Sequence, residues 1–168
     1  MVTDPRMLCY DKINSPLESV MLKKIPPLIT AELLTILAEM GHGDDLVLVD
    51  RNFPAVSVAA STVSGQCIQL AGINTTEAAK AILELFPVDT FVDVPVKRMA
   101  VVGEPDAILD VHSDMQRTLD TAEGRPITVE AIERHAFYEA ASRAFAVVQT
   151  TEARPYGCFI LKKGVVFD

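Results

Sequence analysis

Leu33-Leu34-Thr35-Ile36-Leu37-Ala38-Glu39-Met40-Gly41-His42-Gly43-Asp44-Asp45-Leu46-Val47-Leu48-Val49-Asp50 decides the fold. Leu33, Leu34, Ile36, Leu37 and Met40 recur at helical spacing. Thr30 stands ahead of them as an N-cap, and Gly41 ends the run. Leu46–Val49 is then apolar at every position. A strand without alternation is buried on both faces, which is the habit of parallel sheets covered by helices. His42 falls between two glycines at the junction, outside the apolar period, with Asp44 and Asp50 nearby. Glycine allows positive φ and close approach of a ligand, and histidine exchanges protons near neutral pH. The plainer reading is a C-cap glycine followed by a histidine that favours the negative end of the helix dipole.

The same alternation continues outward. Strands are predicted at Val56–Ala60, Gln66–Leu70, Val96–Val102, Phe145–Thr150 and Phe159–Val166, with Pro126–Ala131 extended. Helices are predicted at Thr76–Phe86, stopped by Pro87, at Ile108–Thr121, ending near Gly124, and at Arg134–Ala144. Alternating strands and helices predict an α/β fold: a three-layer sandwich with a mixed, mostly parallel central sheet. The last two strands are expected to form a hairpin. Residues 21–168 form one domain, and the polar, aperiodic residues 1–20 read as a loosely held extension.

Composition narrows the function. The chain has 168 residues, 49 % of them hydrophobic, and a net charge of −8. No apolar run approaches the roughly 18–20 residues of a membrane span, so the apolar content belongs to a core and is compatible with a subunit interface. The acidic balance, with only isolated pairs at Lys23-Lys24 and Lys162-Lys163, disfavours nucleic acid. Cys9, Cys67 and Cys158 are odd in number and widely spaced, so free thiols in the cytoplasm are expected. There is no glycine-rich phosphate loop and no Gly-Xaa-Ser-Xaa-Gly elbow. His42, His112 and His135 lack metal-ligand spacing. Neither a cofactor nor a metal is therefore expected.

A small polar set remains: His42, Asp44, Asp50, Arg134, Tyr138 and Tyr156. Asp50 ends a buried strand, where ligands gather in α/β sheets, or it simply opens a turn. Arg134 opens a helix, where a cation opposes the dipole, or it is an ordinary surface arginine. Tyr156, between Pro155 and Gly157, is a site residue or an aromatic plug. His112 is expected to be solvated on a surface helix, and His135 lies on a helix surface or lines a site. A carboxylate and a guanidinium can grip neighbouring hydroxyls, while a histidine and a tyrosine carry protons.

Met21-Leu-Lys-Lys-Ile-Pro-Pro-Leu-Ile29, Leu37-Ala-Glu-Met-Gly-His-Gly-Asp44, Asp50-Arg-Asn-Phe-Pro-Ala55, Ala136-Phe-Tyr-Glu139, Arg143-Ala-Phe-Ala146, Tyr156-Gly157 and Leu161-Lys-Lys-Gly-Val165 together resemble the L-fucose mutarotase family, which is related to D-ribose pyranase. The resemblance covers residues 21–166 and keeps the order and spacing of these blocks. It implies a cofactor-free isomerase that interconverts the anomers of a neutral aldopyranose, L-fucose first. It places the acid/base histidine at His42, with Tyr156 as its partner, and substrate-binding groups at Asp50, Arg134, Tyr156 and Cys158. The family often has asparagine where this chain has Cys158. The resemblance also implies a ring-shaped homo-oligomer, usually a decamer, with sites near subunit contacts. Pyranose–furanose interconversion and a non-catalytic sugar-binding module are the alternatives on the same scaffold.

Overall fold

The structure, a computed structural model, describes residues 22–167; the extension expected over residues 1–20 lies outside them. In chain order the elements are α1 (Ala31–Glu39), β1 (Asp45–Val49), α2 (Ala55–Ala59), β2 (Cys67–Leu70), α3 (Thr75–Leu83), β3 (Val96–Met99), α4 (Asp110–Glu123), β4 (Val129–Ile132), α5 (Arg134–Ser142), β5 (Ala146–Thr150) and β6 (Phe159–Lys162). The six strands form one sheet in the order β2-β5-β1-β6-β3-β4. β6 runs antiparallel to both its neighbours, and the other pairs are parallel. The sheet is therefore mixed and mostly parallel.

β1 shows why helices cover both faces. Leu46, Val47, Leu48 and Val49 are all fully buried. Leu46 and Leu48 join one core, with Leu33 and Ile36 of α1, Ile82 of α3 and Met115 and Leu119 of α4. Val47 and Val49 point the other way, to Phe53, Ala55, Ala59, Phe137 and Ala141 beneath α2 and α5. The period of two along a strand makes these separate layers. Local signals fix the helix starts. Thr30 accepts from the Leu33 N–H at 3.2 Å. Asn74 and Glu77 form a reciprocal capping box on α3. Gly124, at φ 65, closes α4.

Two expectations fail. The Val56–Ala60 strand is the helix α2. Pro54 leads into it, and Ala55 and Ala59, four apart, are both buried while Val56 is 65 % exposed. A helical face of two small residues thus overrides the strand preference of the valines. The β5–β6 hairpin is also absent, because β1 lies between these strands, parallel to β5 and antiparallel to β6. The segment 151–158 spans the two strand spacings, about 10 Å. This leaves Tyr156 over the end of β1. Among the described residues no helix is long and apolar enough to cross a membrane.

Candidate functional site

The strand directions define two edges of the sheet. β1, β3, β4 and β5 end at one edge, and β6 begins there. Asp50 directly follows β1, Arg134 opens α5 two residues after β4, and Tyr156 and Cys158 lead into β6. These four sequence-predicted residues share that edge. His42 does not. It precedes β1, where Gly43 (φ 88) donates its N–H to the Lys163 carbonyl at 2.8 Å, just beyond the end of β6. The five residues of β1 alone span about 16 Å. One chain therefore cannot bring His42 and Asp50 to the same small molecule.

Asp50 is buried, yet its carboxylate is well supplied with donors. Oδ1 accepts from the main-chain N–H of Asn52 at 2.9 Å and of Phe53 at 3.1 Å. Asp50 thus shapes a turn, and it does so directly after the end of β1. Oδ2 accepts from the Cys158 thiol at 3.5 Å. Burial first, and then the neighbouring Asp50 charge, push that thiol well above its ordinary value, so Cys158 stays a protonated donor.

Tyr156 has φ 60, a region that bulky residues rarely adopt. Its phenol oxygen accepts from the Val102 N–H at 3.2 Å. Next to it, Gly157 has no room for a side chain. An added Cβ would lie 2.9 Å from Glu152 Cγ and 3.5 Å from Asp50 Cβ. Arg134 is exposed at the start of α5, with its Nη2 3.5 Å from His135 Nε2. The cation is tolerated there because Glu133 is the N-cap and accepts from the His135 and Ala136 N–H groups. Phe53 packs edge-on against Phe137 and at a tilt against Tyr138, with centroids 5.9 and 5.3 Å away. This ties the loop after Asp50 to α5.

An ion cluster around the buried Glu152, invisible in the sequence pattern, braces the segment that carries Tyr156. Arg154 Nε and Nη2 donate to Glu152 Oε1 and Oε2 at 2.9 and 2.8 Å, and Nη1 donates to Asp114 at 2.6 Å. Thr75 on α3 donates to Glu152 at 3.2 Å. Burial pushes the Glu152 carboxyl up, but the Arg154 fork, the Arg154 main-chain N–H and Thr75 together hold it at about 2. In the unfolded chain the group returns to its ordinary 4.5. Its contribution to stability is thus complete above pH 4.5 and is lost as pH falls towards 2. Glu152→Gln should cost about 3 kcal/mol at neutral pH and flatten the acid limb of the stability curve. Thermal unfolding of both proteins across this pH window checks it. An unchanged acid limb in the variant would show that other carboxylates carry the effect.

At the opposite edge, His42 is half exposed and its Nε2 lies 3.1 Å from Asp89 Oδ1. Burial pushes the Asp89 carboxyl up, but hydrogen bonds from the Phe91 N–H and His42, the His42 charge and the Thr90 N–H bring it below its ordinary value. An ionised Asp89 can only accept, so His42 carries a proton on Nε2, and Nδ1 is the ring nitrogen that Asp89 does not engage. Lys163 donates to the carbonyls of Leu37 and Met40 at 2.8 and 2.6 Å, which fixes the end of α1. Asp44 accepts from the Gly41 N–H at 2.7 Å and so serves the turn. Exposed apolar side chains flank both edges: Phe91 and Val92 beside His42, Val102 and Ile108 beside Tyr156. A groove of about 520 Å³ between α3 and α4 is lined by Asp114 but by none of His42, Asp50, Arg134, Tyr156 and Cys158.

His112 corrects one expectation. It is buried, only 4 % exposed, and not solvated. The period of Val111, Met115 and Leu119 marks the buried face of α4, and His112 lies beside it, against β6 and the Tyr156 segment.

A family model described as the RbsD / FucU transport protein family matches residues 23–166. The chain belongs to the RbsD/FucU family. Within it, the chain is 43 % identical over 157 residues to the fucose mutarotase of Danio rerio, covering 88 % of this chain and 95 % of that one. It is 42 % identical over 145 residues to the L-fucose mutarotase of Actinobacillus pleuropneumoniae serotype 5b (strain L20), covering 86 % and 97 %. Among solved RbsD/FucU structures, the fucose mutarotase of Streptococcus pneumoniae in complex with L-fucose superposes with a TM-score of 0.75. That pair is 37 % identical, with 87 % of this chain and all of the other covered.

Proposed function

We propose that this protein is a mutarotase that interconverts the α and β anomers of L-fucose or a closely related neutral aldopyranose. The observation that carries the reading is the chain's identity to named fucose mutarotases over most of its length, and the positions of Asp50, Arg134 and Tyr156 along one edge of the sheet support it. Asp50 and Arg134 hold hydroxyls and keep the opened sugar in register. His42 Nδ1 takes the proton of the anomeric hydroxyl while the Tyr156 phenol gives a proton to the ring oxygen. The bond between C1 and the ring oxygen breaks, the aldehyde rotates about C1–C2, and closure on the other face returns both protons. No redox step or leaving group is involved.

His42 comes from a second copy in this proposal. A head-to-tail contact brings the His42 edge of one copy against the Asp50 edge of the next and generates a ring when it closes. The exposed Phe91 and Val92 on one edge, and Val102 and Ile108 on the other, supply apolar area for that contact. A decamer built from such rings fits the family resemblance. Free Cys67 and Cys158 suit a reducing cytoplasm.

Saturation-transfer NMR tests the activity. Irradiating the α-anomer H1 of equilibrated L-fucose should deplete the β-anomer H1 far faster with protein than in buffer; equal rates would refute the reading. A panel that includes D-ribose separates anomer exchange from ring-size exchange. Arg134→Ala and Asp50→Ala should each weaken calorimetric L-fucose binding by roughly tenfold to a hundredfold, with exchange persisting at high sugar. Wild-type affinity in both would remove them from the holding role.

A further inference from the structure

His112 is buried within the first turn of α4, only 4 % exposed. Both of its ring nitrogens are engaged. Nδ1 accepts from the Leu109 N–H at 3.2 Å. The proton therefore sits on Nε2, which donates to the main-chain carbonyl of Tyr156, also at 3.2 Å. Burial first, and then the neighbouring Arg98 charge, hold His112 below its ordinary value, in keeping with this neutral tautomer. The Phe159 ring stands edge-on at 6.1 Å and limits tilting of the imidazole.

Tyr156 needs such a hold. Its φ of 60 is a left-handed conformation unfavourable for a bulky residue, and it persists only where the surroundings over-determine it. Two contacts do so: His112 fixes the carbonyl, and the Val102 N–H fixes the phenol oxygen. Without the first, the backbone is free to relax towards negative φ, which moves the phenol off the Val102 N–H.

We propose that His112 is a positioning residue for Tyr156, its Nε2–H holding the Tyr156 carbonyl so that the phenol faces the sugar. The proposal rests on the reading of Tyr156 as a proton-transfer group. Two substitutions separate positioning from packing. His112→Gln reaches as far as Nε2 and can still donate to the carbonyl. His112→Asn keeps an acceptor for the Leu109 N–H but stops short of Tyr156. Three readouts apply: kcat and KM for L-fucose exchange, amide hydrogen exchange at Val102, and the melting temperature. The Asn variant should lose about 10–100-fold in kcat, with KM and melting temperature near wild type and Val102 deprotected. The Gln variant should stay within about threefold of wild type, with Val102 protected. Wild-type kcat and Val102 protection in the Asn variant would overturn the proposal, and so would equal losses in both variants. If the wild-type protein exchanges no anomers, the mutarotase reading fails by itself, and Val102 protection in the two variants still decides whether His112 holds Tyr156.

Discussion

Replacing His42 with alanine should slow anomer exchange by about 10²–10⁴-fold while L-fucose binding stays within about threefold of wild type. His42 lies outside the apolar period of α1 and leaves the helix at a glycine turn. Its side chain is 46 % exposed, so the substitution opens no cavity in either core, and the stability change should stay within about 0.5 kcal/mol. Asp89 holds Nε2, so in the proposed mechanism Nδ1 is oriented before the sugar arrives. General acid/base help of this size is enough for a reaction that already proceeds in water. Saturation transfer gives the exchange rate, and calorimetry gives the affinity. A rate within twofold of wild type would remove His42 from the mechanism. Loss of binding in proportion to rate would make it a holding group instead.

The parts of the fold legible in the sequence are those where one short stretch carries its own signal. The all-apolar run from Leu46 to Val49 announced a two-sided strand, and both cores meet on it. Gly41 and Gly43 marked the turn that exposes His42. Asp50 could be found because a strand end and an Asx turn coincide there. What stayed hidden depends on partners far along the chain. Five residues of α2 are too few for a period to outweigh two valines. The pairing of β1 with both β5 and β6 joins segments about a hundred residues apart, and no local rule forbids the simpler hairpin. His112 looked polar and therefore solvated, since its partner carbonyl is 44 residues away. Glu152 and Arg154 are two apart in a loop, a spacing that signals nothing until α3 and α4 enclose it. Asp89 lay among turn residues with no mark of its tie to His42.

The separation of His42 from Asp50 within one chain leads to the second large effect. If each site takes His42 from one copy and Asp50, Arg134 and Tyr156 from its neighbour, two inactive variants should repair each other. His42→Ala alone should be nearly inactive, and so should Tyr156→Phe, because in each homogeneous assembly every site lacks one proton-carrying group. In an assembly mixed at equal amounts, each site draws its two halves independently. Roughly a quarter of the sites then combine an intact His42 edge with an intact Tyr156 edge. The decisive measurement is therefore L-fucose anomer exchange by saturation transfer on co-assembled His42→Ala and Tyr156→Phe chains, set against the same chains assembled separately and then combined. The shared-site account predicts recovery to about a quarter of wild-type exchange in the co-assembled sample and none in the other. Exchange in the co-assembled sample no higher than in the separately assembled one would contradict it.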